Sequence, residues 1–220
     1  MSAVIAVTKR RLALAGALLL ATCASCGRSD EVRATEDSEP PPPTLDVPAD
    51  HPYAGPHLAD FELRECHGRK VTLADLAGRA CVLDFVFTTC AGPCPSMSTA
   101  MAALQGELAD TDALLVSVSV DPATDDAATL RAYAELYDAD PERWWFLTGD
   151  PAQMAALAAS VQLAVVPEQT EDVVLGYQVA HATKFVVVDG EGVVRGYYDG
   201  RTEDGRRAAA ARVRHFARAR

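Results

Sequence analysis

Two runs of eight residues constrain this chain most. ACVLDFVF at residues 80–87, apolar but for Asp84, and ALLVSVSV at 113–120 are of strand length and rich in β-branched residues. They are continuous rather than alternating, which is the pattern of strands buried on both faces of a helix-covered sheet. Between them SMSTAMAALQGELAD (96–110) spaces its apolar residues at helical intervals, with Ser96 or Ser98 as candidate cap. Asp121-Pro122 closes the second run. DDAATLRAYAELYDA (125–139) then reads as a helix, WWFLTG (144–149) as a short strand and turn, and PAQMAALAAS (151–160) as a helix with proline in its first turn. GYQVAH, the strand KFVVVD, the turn DGEG, the strand GVVRGYY and an Ala/Arg helix from about Thr202 follow. Upstream, ADFELRECHGRKVTLADLAG (59–78) alternates around a Gly68 turn, as a hairpin does.

The first 26 residues read as an export signal: Lys9, Arg10 and Arg11, the apolar run LALAGALLLAT, then Cys23 and Cys26. The apolar run is short for a permanent span. LATC (20–23) resembles a lipobox with Cys23 as the lipidated residue, Thr22 being an unusual neighbour and Cys26 the alternative site. An ordinary secreted protein is the competing reading. Residues 27–51 are acidic, rich in Ser and Pro, and include prolines 40–43. They are expected to form an extended tether, with polyproline II spanning roughly 3 Å per residue. Loss of Lys9, Arg10 and Arg11 with the signal lowers 20 basic residues to 17 against 31 acidic ones, a net charge of −14. Nucleic acid is therefore excluded as a natural partner. Residues 52–220 suffice for one folded domain.

The order of elements is that of a thioredoxin-like α/β domain, a central mixed sheet flanked by helices with an N-terminal β-hairpin extension. Cys90 and Cys94, in TTCAGPCPS (88–96), fall at the first strand-to-helix junction. A thiol at a helix N-terminus faces unpaired N–H groups and the positive end of the dipole, and both lower its pKa. If Cys94 opens the helix, the spacer Ala91, Gly92 and Pro93 lets both sulfurs point to one spot. Two soft thiolates plus one imidazole suit Cu(I). Structural zinc, with four ligands, fits less well, since no second cysteine pair at zinc-like spacing is present.

Five histidines are available. His51 and His57 lie in the entry segment HPYAGPH, His67 beside the Gly68 turn and His215 in the basic C-terminal helix, all positions typical of surface residues. His181 immediately precedes the strand KFVVVD, and in a thioredoxin-like fold the loop entering that strand lies against the cysteine loop. Dithiol oxidoreductases of this fold place a cis-proline there. Residues 180–184 are AHATK, without proline, which weakens a disulfide-exchange reading and leaves room for an imidazole.

DFVFTTCAGPCP, SVSVDP, WWFLTG and a histidine eight residues before the aspartate of FVVVDGEG together resemble the Sco/SenC family of copper-binding proteins, over about residues 55–200. The resemblance implies a membrane-tethered copper metallochaperone facing the periplasm or cell exterior, not an enzyme. Such a protein assists assembly of the binuclear copper centre of cytochrome c oxidase, delivering copper or reducing the acceptor subunit's cysteines. It implies Cys90, Cys94 and His181 as ligands of Cu(I) or Cu(II), and Cys90–Cys94 as a redox disulfide whose formation releases metal. Ala91 stands where many members have proline, and Ala180 where many have aspartate. The competing function is a thiol-disulfide oxidoreductase in which Cys90 attacks and Cys94 resolves.

Cys66 and Cys81 have no role in that pattern. Cys81 is expected in a buried strand and Cys66 near an exposed turn, as two thiols rather than a disulfide. The C-terminal helix is expected to pack by Val213, Phe216 and its alanines, with a solvated basic side; contact with anionic lipid is the second reading.

Overall fold

The computed structural model describes residues 54–162, 165–167, 177–179 and 183–219. The leader, both candidate lipidation cysteines Cys23 and Cys26, the tether, His51 and His181 lie outside them. Among the described residues, no helix is long and apolar enough to cross a membrane.

The continuous apolar runs are the central strands. β3 (Cys81–Val86) and β4 (Leu114–Ser119) are buried at every position and pair in parallel, Cys81 opposite Leu114 and Val86 opposite Ser119. Their crossover is α1 (Cys94–Glu107). After α2 (Ala127–Glu135), β5 (Trp144–Thr148) adds a second parallel neighbour to β4. The hairpin of β1 (Glu62–Glu65) and β2 (Lys70–Thr72) joins the far edge of β5 in antiparallel sense. Its turn uses Gly68 at φ 94°, a backbone shape that only glycine adopts without strain. α3 (Pro151–Ser160) leads to a separate two-stranded pair, β6 (Val165–Pro167) and β7 (Tyr177–Val179). β8 (Lys184–Val188) and β9 (Val194–Asp199) form the last hairpin, and α4 (Glu203–Phe216) closes the fold.

The resulting mixed sheet has the order β2-β1-β5-β4-β3-β8-β9, a thioredoxin-like arrangement with the expected hairpin extension. Alternate side chains of each strand feed two cores. Leu83, Phe85, Val116 and Val118 pack with Met154 and Leu157 of α3. Val82, Leu115 and Phe146 pack with Met97, Met101 and Leu104 of α1, Leu130 of α2 and Val213 of α4.

The helix ends differ in part from the sequence expectation. α2, α3 and α4 are capped by Asp126, Asp150 and Thr202, whose side chains accept the N–H of Thr129, Gln153 and Gly205. α1 starts two residues before Ser96, with Pro93 in the capping position and no side-chain cap. The hydroxyl of Ser96 instead donates to the Pro93 carbonyl (2.8 Å), and buried Ser98 bonds Tyr133 (2.9 Å). The basic side of α4 is also no bare stripe. Arg206 pairs with Glu107, Arg214 with Asp110 (2.9 Å), and Arg212 is buried, with Nε on the Arg195 carbonyl (2.9 Å). Acids of α1 and its following turn thus pair with two of the helix's arginines.

Candidate metal centre

Cys94 is the first residue of α1, and Cys90 lies in the loop that leaves β3. The chain turns twice on its backbone there: the Cys90 N–H bonds the Phe87 carbonyl (3.2 Å), and the Met97 N–H bonds that of Pro93 (3.0 Å). The loop is also held from the side. Asp125, fully buried in the turn between β4 and α2, accepts the Thr88 N–H at 3.2 Å, the Thr88 hydroxyl at 2.5 Å and the Ser119 hydroxyl at 2.6 Å. That turn is wound on Asp121, whose carbonyl accepts the N–H groups of Thr124 and Asp125. Asp121-Pro122 is thus structural, as its sequence suggests, whereas Asp125 is a supporting residue that the sequence reading missed. Its only sequence signal is its place four residues after Asp121 in DPATD.

The two thiols are unlike. Cys90 is half-buried and Cys94 is 6% exposed. Burial, the neighbouring Cys90 thiol and the charge of Asp84 push the Cys94 thiol up to about 12. The helix N-terminus was expected to lower it; burial wins because desolvating a thiolate costs more than half a dipole charge returns. Asp84 itself, fully enclosed on β3, is raised by burial to about 7, against the pull of the Ser117 hydroxyl at 2.6 Å. Ser117 is held in turn by Trp144 Nε1 (2.9 Å). With no cation present, this corner favours a neutral Cys94 thiol; a soft monovalent or divalent cation would reverse that preference by balancing thiolate charge.

β8 runs antiparallel to β3, with Cys81 opposite Val188 and Leu83 opposite Val186. The entry to β8 therefore lies at the end of the sheet where β3 delivers Cys90. Thr183, the first described residue before β8, accepts the Gly200 N–H (2.9 Å). Three other histidines lie away from this corner. His57 bridges Val193 beyond the opposite end of β8, His67 bonds Glu65 (2.8 Å), and His215 stacks edge-on with Phe216.

Cys66 and Cys81 are free thiols, as expected. Cys66 is not exposed, however: its sulfur turns inward beneath the hairpin, leaving 3% of the residue accessible.

Comparison with known proteins agrees with this construction. The SCO1/SenC family model matches residues 49–218. A SCO1/SenC family lipoprotein from Bacillus anthracis superimposes with a TM-score of 0.64 at 27% identity, covering 74% of this chain and 95% of that one. BsSco, a member of the Sco family of cytochrome c oxidase assembly proteins in which a disulfide switch has been identified, gives 0.57 at 28%, covering 71% and 94%. ScoI of Bradyrhizobium japonicum with copper bound gives 0.55 at 25%, covering 73% and 99%. With the family match spanning the whole folded part and these structures sharing its architecture, the chain belongs to the SCO1/SenC family.

Proposed function

We propose that this protein is a membrane-tethered copper metallochaperone that carries one copper ion on Cys90, Cys94 and His181. The observation that carries the reading is the pairing of a buried with a half-buried thiol at the β3–α1 joint, braced by Asp125. Two thiolates and a neutral imidazole form a soft, three-donor set suited to Cu(I). The entry of β8 beside the cysteine loop supports His181 as the third donor. The copper-bound relative and the link of BsSco to cytochrome c oxidase assembly support the cargo and its destination, the binuclear copper centre. Lipidation at Cys23 and the tether of residues 27–51 would hold the domain on the outer face of the membrane, in keeping with a relative that is a lipoprotein.

One observation favours a second activity. An accessible Cys90 beside a buried Cys94 is the asymmetry of an attacking and a resolving thiol, and BsSco carries a disulfide switch. In that reading Cys90 attacks a disulfide of a partner, Cys94 displaces the partner sulfur, and the pair leaves oxidised as the partner leaves reduced.

Anaerobic titration of the reduced protein with Cu(I) against a competing chelator tests the proposal. One tight equivalent in the wild type, lost in Cys90→Ser and Cys94→Ser and markedly weakened in His181→Ala, is expected. Weak binding, or binding indifferent to His181, would leave the dithiol activity as the function.

A further inference from the structure

Away from the cysteine loop, the β1–β2 hairpin gathers three different donors on three consecutive residues. Glu65 Oε1 lies 3.0 Å from Cys66 Sγ and 2.8 Å from His67 Nδ1, and Cys66 Sγ lies 3.4 Å from His67 Nδ1. Tetrahedral zinc with ordinary Zn–S, Zn–N and Zn–O lengths has ligand-to-ligand edges of about 3.4–3.6 Å. The S–N edge already has that length, and the two edges to Glu65 Oε1 need to open by about 0.5–0.7 Å for the triangle to become one face of such a site.

The backbone that presents it is fixed. The Glu65 N–H bonds the Arg69 carbonyl (2.8 Å), the Gly68 N–H that of Glu65 (2.7 Å), and the Cys66 N–H that of Phe146 across to β5 (2.9 Å). Glu65 and Cys66 are each 3% exposed, whereas the His67 side chain is 48% exposed, so the cluster is open on one side. That side is a cavity of about 580 Å³ lined by Glu65, His67, Arg69, Arg79, Glu142 and Trp145. Room for a fourth ligand is therefore available to water or a small anion.

A second observation points to a cation. Glu65 is a buried acid, yet among the described residues its only salt-bridge neighbour is the imidazole of His67, which carries charge only when protonated. Arg69 and Arg79 line the same cavity, but both guanidinium groups sit over the Trp145 ring (4.2 and 5.8 Å). A buried carboxylate is costly without a full countercharge.

We infer that Glu65, Cys66 and His67 form a second metal site, separate from the cysteine loop, that takes zinc or a similar borderline divalent cation. One ion would replace two protons now shared on Glu65 Oε1, that of the Cys66 thiol and that on His67 Nδ1. The first goes to solvent, and the second is re-formed on Nε2 as the imidazole changes tautomer. The mixed sulfur, nitrogen and carboxylate set favours a divalent ion over Cu(I). β1 is separated from β3 by β5 and β4, about 14 Å at ~4.8 Å per strand, so both sites can be filled independently.

Cobalt(II) titration of the reduced full chain in a Cys90→Ser/Cys94→Ser background tests the site. The expected result is one equivalent with a thiolate-to-cobalt charge-transfer band and tetrahedral ligand-field bands, displaced by one equivalent of zinc. Losing even a hydrogen-bond partner of a ligand weakens metal sites about 10–100-fold, so His67→Ala and Cys66→Ser should each weaken binding at least tenfold. His67→Ala is decisive because the half-exposed ring leaves the core untouched. No charge-transfer band, or a band unchanged by His67→Ala, overturns the inference.

Discussion

Asp125 accepts two hydrogen bonds from Thr88, one from the peptide N–H and one from the hydroxyl, and so ties the β4–α2 turn to the segment that carries Cys90. A third bond comes from the Ser119 hydroxyl. Asp125→Ala would leave the buried Ser119 hydroxyl and the two half-buried Thr88 donors without an acceptor, the buried one at a cost of about 1–3 kcal/mol and the others at less. The expected loss is about 2–4 kcal/mol in urea unfolding of the reduced protein. Thr88→Val, which keeps the hydrogen bond from the Thr88 peptide N–H to Asp125, should cost about 1 kcal/mol. Equal losses in the two variants would refute the bracing role.

The charge on Asp84 should make stability fall with rising pH. Burial raises its carboxyl to about 7 from an ordinary 3.8. A group with a raised folded-state pKa contributes stability that is complete below the unfolded pKa and disappears as pH climbs through the folded one. The window is therefore about pH 4 to 7, and the effect is on the order of a few kcal/mol. Asp84→Asn should flatten that slope, leaving the metal-free variant close to wild type at pH 4 and more stable at pH 8. The same change should lower the pKa of Cys94, which Asp84 helps to raise. Alkylation rates of Cys94 against pH in a Cys90→Ser background would report it, and an unchanged profile would contradict the coupling.

Gly205 shows how packing overrides propensity. It lies in the first turn of α4, where alanine is favoured over glycine by about 1 kcal/mol. A Cβ there would run into the Asp199 backbone, 2.9 Å from both its nitrogen and its carbonyl carbon. Backbone cannot swing aside as a side chain can. Gly205→Ala should therefore destabilise the protein by about 1–3 kcal/mol, as overpacking does. A stabilised variant in thermal unfolding would show that α4 shifts freely.

The strands were legible because their burial is written in composition: ACVLDFVF and ALLVSVSV could only be central, and the cysteine loop had to follow the first. The start of α1 was not. Serine at 96 and 98 suggested a cap, but Pro93 and Pro95 already preset helical backbone angles, so the helix begins at Cys94. Cys66 was misjudged because proximity to a turn says nothing of the direction of a side chain. The alternation of exposed and buried positions along β1 is what sends Glu65 inward, with the Cys66 sulfur alongside. Asp125 and Arg212 were hidden for a common reason: a buried charged residue looks like a surface one until its partners, distant in sequence, are in place.

Copper binding should strengthen with pH, because the thiol proton that burial holds on Cys94 must leave before the sulfur can bind. A Cu(I) affinity independent of pH between 6 and 8, measured with a chelator of known protonation, would argue against Cys94 as a ligand.

X-ray absorption at the copper edge of the reduced, Cu(I)-loaded full chain tests the central claim most directly. Two sulfur scatterers and one imidazole nitrogen are predicted, the nitrogen vanishing in His181→Ala while both sulfurs remain. A spectrum that His181→Ala leaves unchanged, or one with a single sulfur, would contradict the three-residue clamp.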